Sequence, residues 1–241
     1  MLGVRVDDVT YAEALAILRQ ALASRTPRVV TTPNPEIVMA ARRDPAFRAV
    51  LNRAALNIPD GVGLLLAARL AGDRLREHVQ GTDLVLLLAA ESARSGHRWF
   101  LLGGFGDLSQ RAARALAHRF DGLKVAGAAP GSPAAEDDAA TRVLIAAAEP
   151  VDVLLVAYGA PRQEQWLDRN LATLGIPVGI GVGGVFTYLA GDAPRAPAWV
   201  RQVHFEWLHR LVTQPWRWRR QLALPQFAAL ALLAALRRRW P

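Results

Sequence analysis

The sequence predicts an α/β fold with a largely parallel sheet that is covered by helices on both faces. Short apolar segments alternate with helical segments of about 10–15 residues, and the segments between them contain glycine, proline or asparagine. Strands that are apolar throughout and separated by helices are typical of a parallel sheet buried on both sides. This arrangement is Rossmann-like, and such sheets bind ligands at the carboxyl ends of their strands.

The first half of the chain begins with a helix whose start is marked by a capping box. Thr10 and Glu13 have the spacing in which each side chain bonds the other residue's backbone N–H. Asn34 and Pro35 resemble an N-cap followed by proline at the first helical position. The predicted helices of this half are 10–23, 35–43, 45–54, 62–71 and 82–95, and the predicted strands are 28–32 and 56–59.

The second half alternates more regularly between strand and helix. Glycine-containing turns separate several of its apolar segments from the helical periods that follow. The predicted strands are 98–102, 123–128, 151–157 and 176–182, and the predicted helices are 107–119, 137–148 and 161–172.

Charge divides the chain into two parts. Residues 195–241 contain nine arginines against one acid, Glu206, which matches the net charge of +8 of the whole chain, and they contain five of the seven tryptophans. Residues 1–194 are balanced in charge. We therefore expect an α/β domain over residues 1–194 and a basic, tryptophan-rich helical appendage over residues 195–241.

The appendage has the composition of a segment that contacts an anionic membrane surface. Arginine beside tryptophan and an apolar run is typical of such segments. The run 226–236 has 11 residues, whereas a spanning helix needs roughly 20. An oligomer interface, a nucleic-acid arm and an amphipathic helix packed on its own domain are the alternatives, although the apolar stretch 222–236 argues against nucleic acid.

Two further features indicate the cytoplasm. The chain has no cysteine, which excludes a disulfide framework and a cysteine nucleophile. Residues 1–10 contain Asp7 and Asp8 and have no apolar segment of the kind found in a secretory signal. We therefore expect a cytoplasmic protein that is peripheral to the membrane.

Polar residues and glycines follow the predicted strands. The candidates for a site at this edge of the sheet are Thr32, Asn34, Asp60, Gly103, Gly104, Gly159, Gln163, Gly183 and Gly184. Each also has a simpler structural explanation. Asn34 and Asp60 are suited to capping helices, glycines at strand–helix turns are common packing devices, and Gln163 falls in a first helical turn.

Together, the order and spacing of these motifs resemble one family. The motifs are T-x-N at 32–34, P-D-G at 59–61, G-T-D at 81–83, L-L-G-G at 101–104, G-A-P-x-Q-E at 159–164, G-V-G-G-x-F at 181–186, G-D-x-x-R-A-P at 191–197 and E-W-L-x-R-L-x-x-x-P at 206–215. In this respect the chain is similar to the WecG/TagA/CpsF glycosyltransferases over about residues 3–220.

The resemblance implies an inverting, metal-independent and cofactor-free transfer of N-acetylmannosamine or a related hexose. The donor would be a UDP-sugar, and the acceptor a polyprenyl-diphosphate-linked saccharide at the inner face of the cytoplasmic membrane. The 1–194 domain would be catalytic. Asp60 would be the general base with Thr32 and Asn34 beside it, and Gln163 would contact substrate. Matching arginines of the appendage, which would assist docking and catalysis, are Arg210, Arg217 and Arg220.

The chemistry of such a transfer is consistent with these residues. A carboxylate must accept the proton of the attacking hydroxyl, and positive charge must stabilise the leaving diphosphate. The acidic cluster Glu136, Asp137 and Asp138 falls at a predicted helix start, and elsewhere no D-x-D spacing suggests a metal site. We therefore expect arginines and backbone N–H groups to take that role.

One position departs from the family pattern. His78 stands where the family usually has arginine in R-V-x-G-x-D. Arg74 or Arg76 is a candidate to supply the missing charge, and His78 is a candidate for a different sugar specificity.

Two other classes of protein were considered. A different nucleotide-dependent α/β enzyme, such as an oxidoreductase, is disfavoured because no G-x-G-x-x-G follows the first strand with an acid about 20 residues on. A non-catalytic membrane-associated scaffold is disfavoured because Thr32, Asn34, Asp60 and Gln163 are all present. The sequence leaves the oligomeric state open, and a homo-oligomer is possible.

Overall fold

The computed structural model describes residues 1–148, 150–197, 199–200, 206–213, 215 and 218–239, without the side chains of residues 210, 219, 220 and 237–239. The structure contains the helices α1 Tyr11–Ser24, α2 Pro35–Arg43, α3 Pro45–Arg53, α4 Val62–Leu70, α5 Gly81–Ser95, α6 Leu108–Arg119, α7 Asp138–Ala146, α8 Arg162–Leu174, α9 Val185–Leu189, α10 Glu206–Thr213, α11 Trp218–Gln221 and α12 Ala223–Arg239.

Six strands form one parallel sheet, which confirms the predicted fold class. The strands are β1 Arg28–Thr31, β2 Leu56–Asn57, β3 Arg98–Gly103, β4 Lys124–Ala129, β5 Val153–Ala157 and β6 Val178–Gly181, and their order in the sheet is β2-β1-β6-β5-β3-β4. Each neighbouring pair is parallel. The carboxyl ends of all six strands therefore lie along the same edge.

The central strands alternate their side chains between two buried layers. In β5, Val153 and Leu155 belong to the core under α1, α5 and α6, whereas Leu154 and Val156 pack with α8 on the opposite face. This period of two is the geometry of a strand with helices on both sides. It explains why β5 is apolar at every position.

The predicted start of α1 is confirmed in atomic detail. Thr10 Oγ1 accepts a hydrogen bond from the Glu13 N–H at 3.3 Å, and Glu13 Oε2 accepts one from the Thr10 N–H at 2.9 Å. Both backbone donors are thereby satisfied, so the helix has a fixed start.

The appendage helix α12 packs on the body of the protein. Phe227 and Ala231 are 3% and 4% exposed and join a core cluster with residues of α2, α3 and α4. Other apolar side chains of the same helix remain about half exposed, namely Leu232, Leu233 and Leu236. The helix thus matches the alternative of packing on its own domain and still presents an apolar outer face. Among the residues described, no helix is long and apolar enough to cross a membrane.

Candidate active site

Asp60 lies just beyond β2, at the carboxyl edge of the sheet. Its backbone N–H is 3.1 Å from the carbonyl oxygen of Pro33, which ties this loop to the one after β1. Its carboxylate oxygen Oδ2 accepts a hydrogen bond from the Gly81 N–H at 3.2 Å. The other oxygen, Oδ1, lies 3.9 Å from His78 Nε2. The carboxylate is therefore held from two sides while its side chain stays 31% exposed.

The glycine of the G-T-D motif is required by close packing at this carboxylate. A Cβ atom on Gly81 would lie 2.8 Å from Cγ2 of Thr32 and 3.4 Å from Oδ2 of Asp60. Thr32 itself is 8% exposed, and its hydroxyl lies 3.4 Å from the carbonyl oxygen of Gly181. Any side chain at Gly81 would displace Thr32 or the carboxylate, so the motif serves the geometry of Asp60.

Asn34 is both a helix cap and a lining residue. Its Oδ1 accepts a hydrogen bond from the Ile37 N–H at 2.9 Å, which confirms the predicted N-cap of α2. The structural explanation is therefore correct for the amide oxygen. The amide NH₂ is the group of this side chain that can donate to a ligand.

Two cavities meet at Asp60. The first, which we call the strand-end cavity, has a volume of about 530 Å³ and is formed by the loops that follow all six strands. The second, which we call the α4–α12 groove, has a volume of about 760 Å³ and is walled mainly by aliphatic side chains of α4 and α12. Residues that line both are Asn34, Glu36, Asp60 and Thr82.

The predicted glycines fall on the strand-end cavity, with one exception. Gly104, Gly159, Gly183 and Gly184 line it. Gly103 lies behind the wall at the end of β3, with φ +108°, where a Cβ atom would be 2.9 Å from the carbonyl carbon of Ala157. Gly103 is therefore explained by close strand packing and by its positive φ.

Gln163 joins two of these glycine turns. Its Oε1 accepts hydrogen bonds from the Gly159 N–H at 3.1 Å and the Gly183 N–H at 2.9 Å. Its Nε2 donates to Glu164 Oε1 at 2.8 Å. Burial raises the pKa of the Glu164 carboxyl to about 7, against the opposing effect of the Gln163 hydrogen bond. Gln163 and Glu164 therefore hold the turns of the strand-end cavity in place. The sequence predicted that Gln163 contacts substrate and did not predict this positioning role.

Two residues of the strand-end cavity were missed by the sequence analysis. Arg162 is the only cationic side chain among the described residues that line this cavity. It occupies the variable position of G-A-P-x-Q-E, so the motif itself does not indicate that Arg162 lines the cavity. Phe105 stands between Gly104 and Gly106 and is 91% exposed, which is an unusual position for a large aromatic side chain.

The segment before G-T-D is linked to the start of α10 by a polar network. Arg195 donates to Asp83 Oδ2 at 2.7 Å and to Gln80 Oε1 at 3.1 Å. Gln80 in turn donates to Glu206 Oε2 at 3.1 Å. This network connects the beginning of the appendage to the neighbourhood of Asp60. The motifs that contain these residues do not by themselves predict this contact.

The prediction that Arg76 supplies the positive charge missing at position 78 is wrong. Arg76 binds the carboxylates of Asp8 and Glu13, at 2.9 Å and 2.7 Å, on the outside of the protein. These contacts occupy its guanidinium, and Arg74 is exposed. His78 itself lines the α4–α12 groove beside Asp60, so it replaces the family's arginine with an imidazole at the candidate base.

Several predicted residues lie outside what the structure describes. Arg217 is outside the described residues, and only the backbone positions of Arg210 and Arg220, in α10 and α11, are described. Of the predicted acidic cluster, Asp138 forms an ion pair with Arg169 at 2.7 Å. In the part of the chain that is described, no three His, Cys, Asp or Glu side chains are grouped to hold a metal ion.

This arrangement defines the class of protein. A carboxylate positioned between two cavities of different polarity suits an α/β enzyme that joins two substrates with a general base.

Comparison with known proteins identifies the family. The model of the WecG/TagA/CpsF glycosyl transferase family matches residues 1–241, so this chain belongs to that family and is a glycosyltransferase. The N-acetylglucosaminyldiphosphoundecaprenol N-acetyl-beta-D-mannosaminyltransferase of Bacillus subtilis strain 168 is 33% identical over 85% of this chain and 78% of its own length. The enzyme of the same name from Staphylococcus aureus strain MRSA252 is 27% identical over 94% of this chain and 89% of its own length.

Proposed function

We propose that this glycosyltransferase moves N-acetylmannosamine, or a related hexose, from a UDP-sugar to a polyprenyl-diphosphate-linked saccharide in cell-surface polysaccharide biosynthesis. The observation that carries the proposal is the position of Asp60 on the boundary shared by the two cavities. The names of the relatives support the acceptor class, since they specify a diphosphoundecaprenol-linked sugar.

The donor fits the strand-end cavity. Glycine turns that enter helices present backbone N–H groups, which bind phosphate oxygens. Arg162 adds a guanidinium at the cavity wall, and guanidinium groups bind diphosphates in a bidentate manner. Gln163 holds the turns of Gly159 and Gly183 in register, so these backbone donors need not reorganise when the nucleotide binds.

The acceptor approaches Asp60 from the other cavity. The Asp60 carboxylate takes the proton of the acceptor hydroxyl, whose oxygen forms a bond to the anomeric carbon of the donor sugar. The bond between that carbon and the diphosphate oxygen breaks, and UDP leaves with the electron pair. Attack from the face opposite the leaving group inverts the anomeric configuration. Thr32 and Asn34 border the reacting centre, and Gly81 fixes the orientation of the carboxylate.

The leaving diphosphate needs positive charge. Arg162 supplies one cation, and we assign Arg210, Arg217 and Arg220 of the appendage to the same role without a metal ion. The network of Arg195, Gln80 and Glu206 supports this assignment because it ties the start of α10 to the segment beside Asp60. No cofactor is required by this chemistry.

The appendage is proposed to dock the enzyme on the inner face of the cytoplasmic membrane. Support comes from its charge and tryptophans and from the half-exposed leucines of α12. Each basic residue near an anionic surface contributes roughly 1 kcal/mol. Binding to anionic vesicles should therefore weaken strongly at high salt. Binding that is insensitive to salt would contradict the proposal that the basic residues attract the enzyme to the membrane.

A panel of UDP-sugars tests the function directly. Each would be incubated with N-acetylglucosaminyl diphosphate esterified to a farnesyl chain, and the product analysed for mass and anomeric configuration. We expect one UDP-N-acetylhexosamine to be used, with inversion. Retention of configuration would exclude the role given to Asp60, and absence of transfer from every UDP-sugar would overturn the proposed donor.

A further inference from the structure

The α4–α12 groove has a direction. It begins at Asp60 and His78 and continues past Leu66 and Leu70 on one wall and Ala228 on the other. Because an α-helix rises 1.5 Å per residue, the nine residues from Val62 to Leu70, which are eight steps along the helix, carry this wall about 12 Å away from the strand end. The groove therefore leads from the candidate base out along α4.

The polarity of the groove changes along its length. Its polar side chains are connected to one another near Asp60, through the contacts of Gln80 with Glu206 and of His78 with Asp60. Beyond them the walls are mainly apolar, with side chains of α4, α10 and α12, and Gln221 is a polar residue that also lines the groove. Leu66 and Leu70 are 57% and 46% exposed. A molecule with a polar head at Asp60 and a hydrocarbon tail along α4 would match both parts.

We propose that this groove binds the isoprenoid chain of the acceptor next to its diphosphate. The proposal rests on the proposed function, in which the acceptor sugar reaches Asp60 and its diphosphate is joined directly to hydrocarbon. The groove is continuous with the catalytic carboxylate, and the strand-end cavity on the other side is lined by glycine turns and polar groups. The first isoprene units occupy the groove, and the rest of a long chain extends towards the bilayer.

Binding in this groove makes recognition depend on chain length without a membrane. The test compares N-acetylglucosaminyl diphosphate carrying a farnesyl chain with the same headgroup carrying a methyl group, without detergent or vesicles. We expect the dissociation constant and the acceptor KM to be at least about tenfold lower for the farnesyl compound. Tenfold corresponds to about 1.4 kcal/mol, which requires burial of only about two methylene groups.

A matched pair of variants locates the chain. Ala228 lines the groove and Ala229 does not, although both are exposed on α12. Ala228→Trp fills the groove and should reduce the preference for farnesyl over methyl to about threefold or less. Ala229→Trp adds the same side chain one position away and should keep the preference of the wild type. Equal preferences in the two variants would overturn the proposal.

A second pair on the facing wall repeats the test. Leu66→Gln makes the groove wall polar and should lower the chain-length preference, whereas Leu144→Gln, at a leucine 41% exposed on α7, should not.

Titration of the protein with the farnesyl and methyl compounds in the absence of donor measures acceptor binding separately from sugar transfer. Farnesyl-dependent binding without any sugar transfer would contradict the proposed function alone. Transfer with no dependence on chain length would contradict the groove alone and leave the chain to the membrane.

Discussion

The strand-end cavity and the α4–α12 groove meet at one carboxylate but are built in different ways. The cavity is assembled from the loops after all six strands, and seven of its lining residues are glycines. The groove is assembled from side chains of helices that are about 150 residues apart in sequence. The comparison indicates that local sequence motifs build the polar strand-end cavity, whereas the apolar groove depends on how α12 packs against α4.

The largest effect is expected at the boundary itself. Asp60→Asn removes the proton acceptor and keeps the size of the side chain, so turnover should fall by about 100-fold or more. Binding of UDP to the strand-end cavity should persist. Steady-state kinetics and UDP titration measure the two effects separately. Asp121→Asn, at an exposed carboxylate after α6, serves as the control, and near-normal turnover of the Asp60 variant would remove Asp60 from the mechanism.

A second prediction concerns stability beneath the strand-end cavity. The pKa of Glu164 is raised by burial from 4.5 to about 7, so the native state holds a proton that the unfolded state releases between those values. The contribution of this bound proton to the free energy of unfolding is fully present below pH 4.5 and is lost as the pH rises to about 7. The total loss is about 3 kcal/mol. Glu164→Gln should abolish this loss in urea unfolding experiments across the window.

The control for Glu164 is Glu91, a carboxyl group whose pKa is lowered rather than raised. Arg19 lowers the pKa of Glu91 through a side-chain hydrogen bond. Glu91 is therefore ionised in both states above about pH 5.5, and Glu91→Gln should leave the pH dependence from there to pH 7 unchanged. If Glu164→Gln and the wild type had parallel profiles, Glu164 would be ionised in the native protein.

A third prediction distinguishes the cavity from the groove by substrate. Arg162→Ala should raise the KM for the UDP-sugar by about tenfold, in the range of a hydrogen bond to a charged group, because Arg162 lines only the strand-end cavity. The acceptor KM should change by less than twofold. Arg114→Ala, at an exposed arginine of α6, controls for loss of surface charge. Equal changes in both KM values would mean that the two cavities do not separate the substrates.

The smallest effect is expected from removal of metal ions. Arg162 and the appendage arginines are assigned to the leaving diphosphate, so excess EDTA should change turnover by less than twofold. Loss of activity that magnesium or manganese restores would show that the charge comes from a metal, and Glu136 and Asp137 would then need to be tested by substitution.

Local sequence was sufficient to predict the fold and most of the strand-end cavity. Thr10 and Asn34 cap the helices that their spacing predicted, and the apolar strands lie where alternation with helices placed them. Parallel strands bring their carboxyl ends to one edge, so Thr32, Asp60 and Gly183 could be grouped without knowledge of the strand order.

Contacts between distant segments could not be predicted in the same way. Arg76 is close to His78 in sequence, but its guanidinium binds Asp8 and Glu13 on the outside. The pairing of Arg195 with Asp83 joins segments 112 residues apart. The groove likewise depends on α12 lying against α4, and the composition of α12 suited a membrane surface equally well. Such contacts depend on tertiary packing rather than on periodicity.

The packing of α12 has a consequence for the order in which the protein matures. Chains fold during synthesis from the amino-terminal side, and the six strands with their loops precede Phe227 and Ala231 in the chain. A nascent or prematurely terminated polypeptide can thus form the strand-end cavity while the groove still lacks its α12 wall. Under the proposed function, cleavage before α12 would therefore leave the proposed donor cavity in place and remove one wall of the proposed acceptor groove.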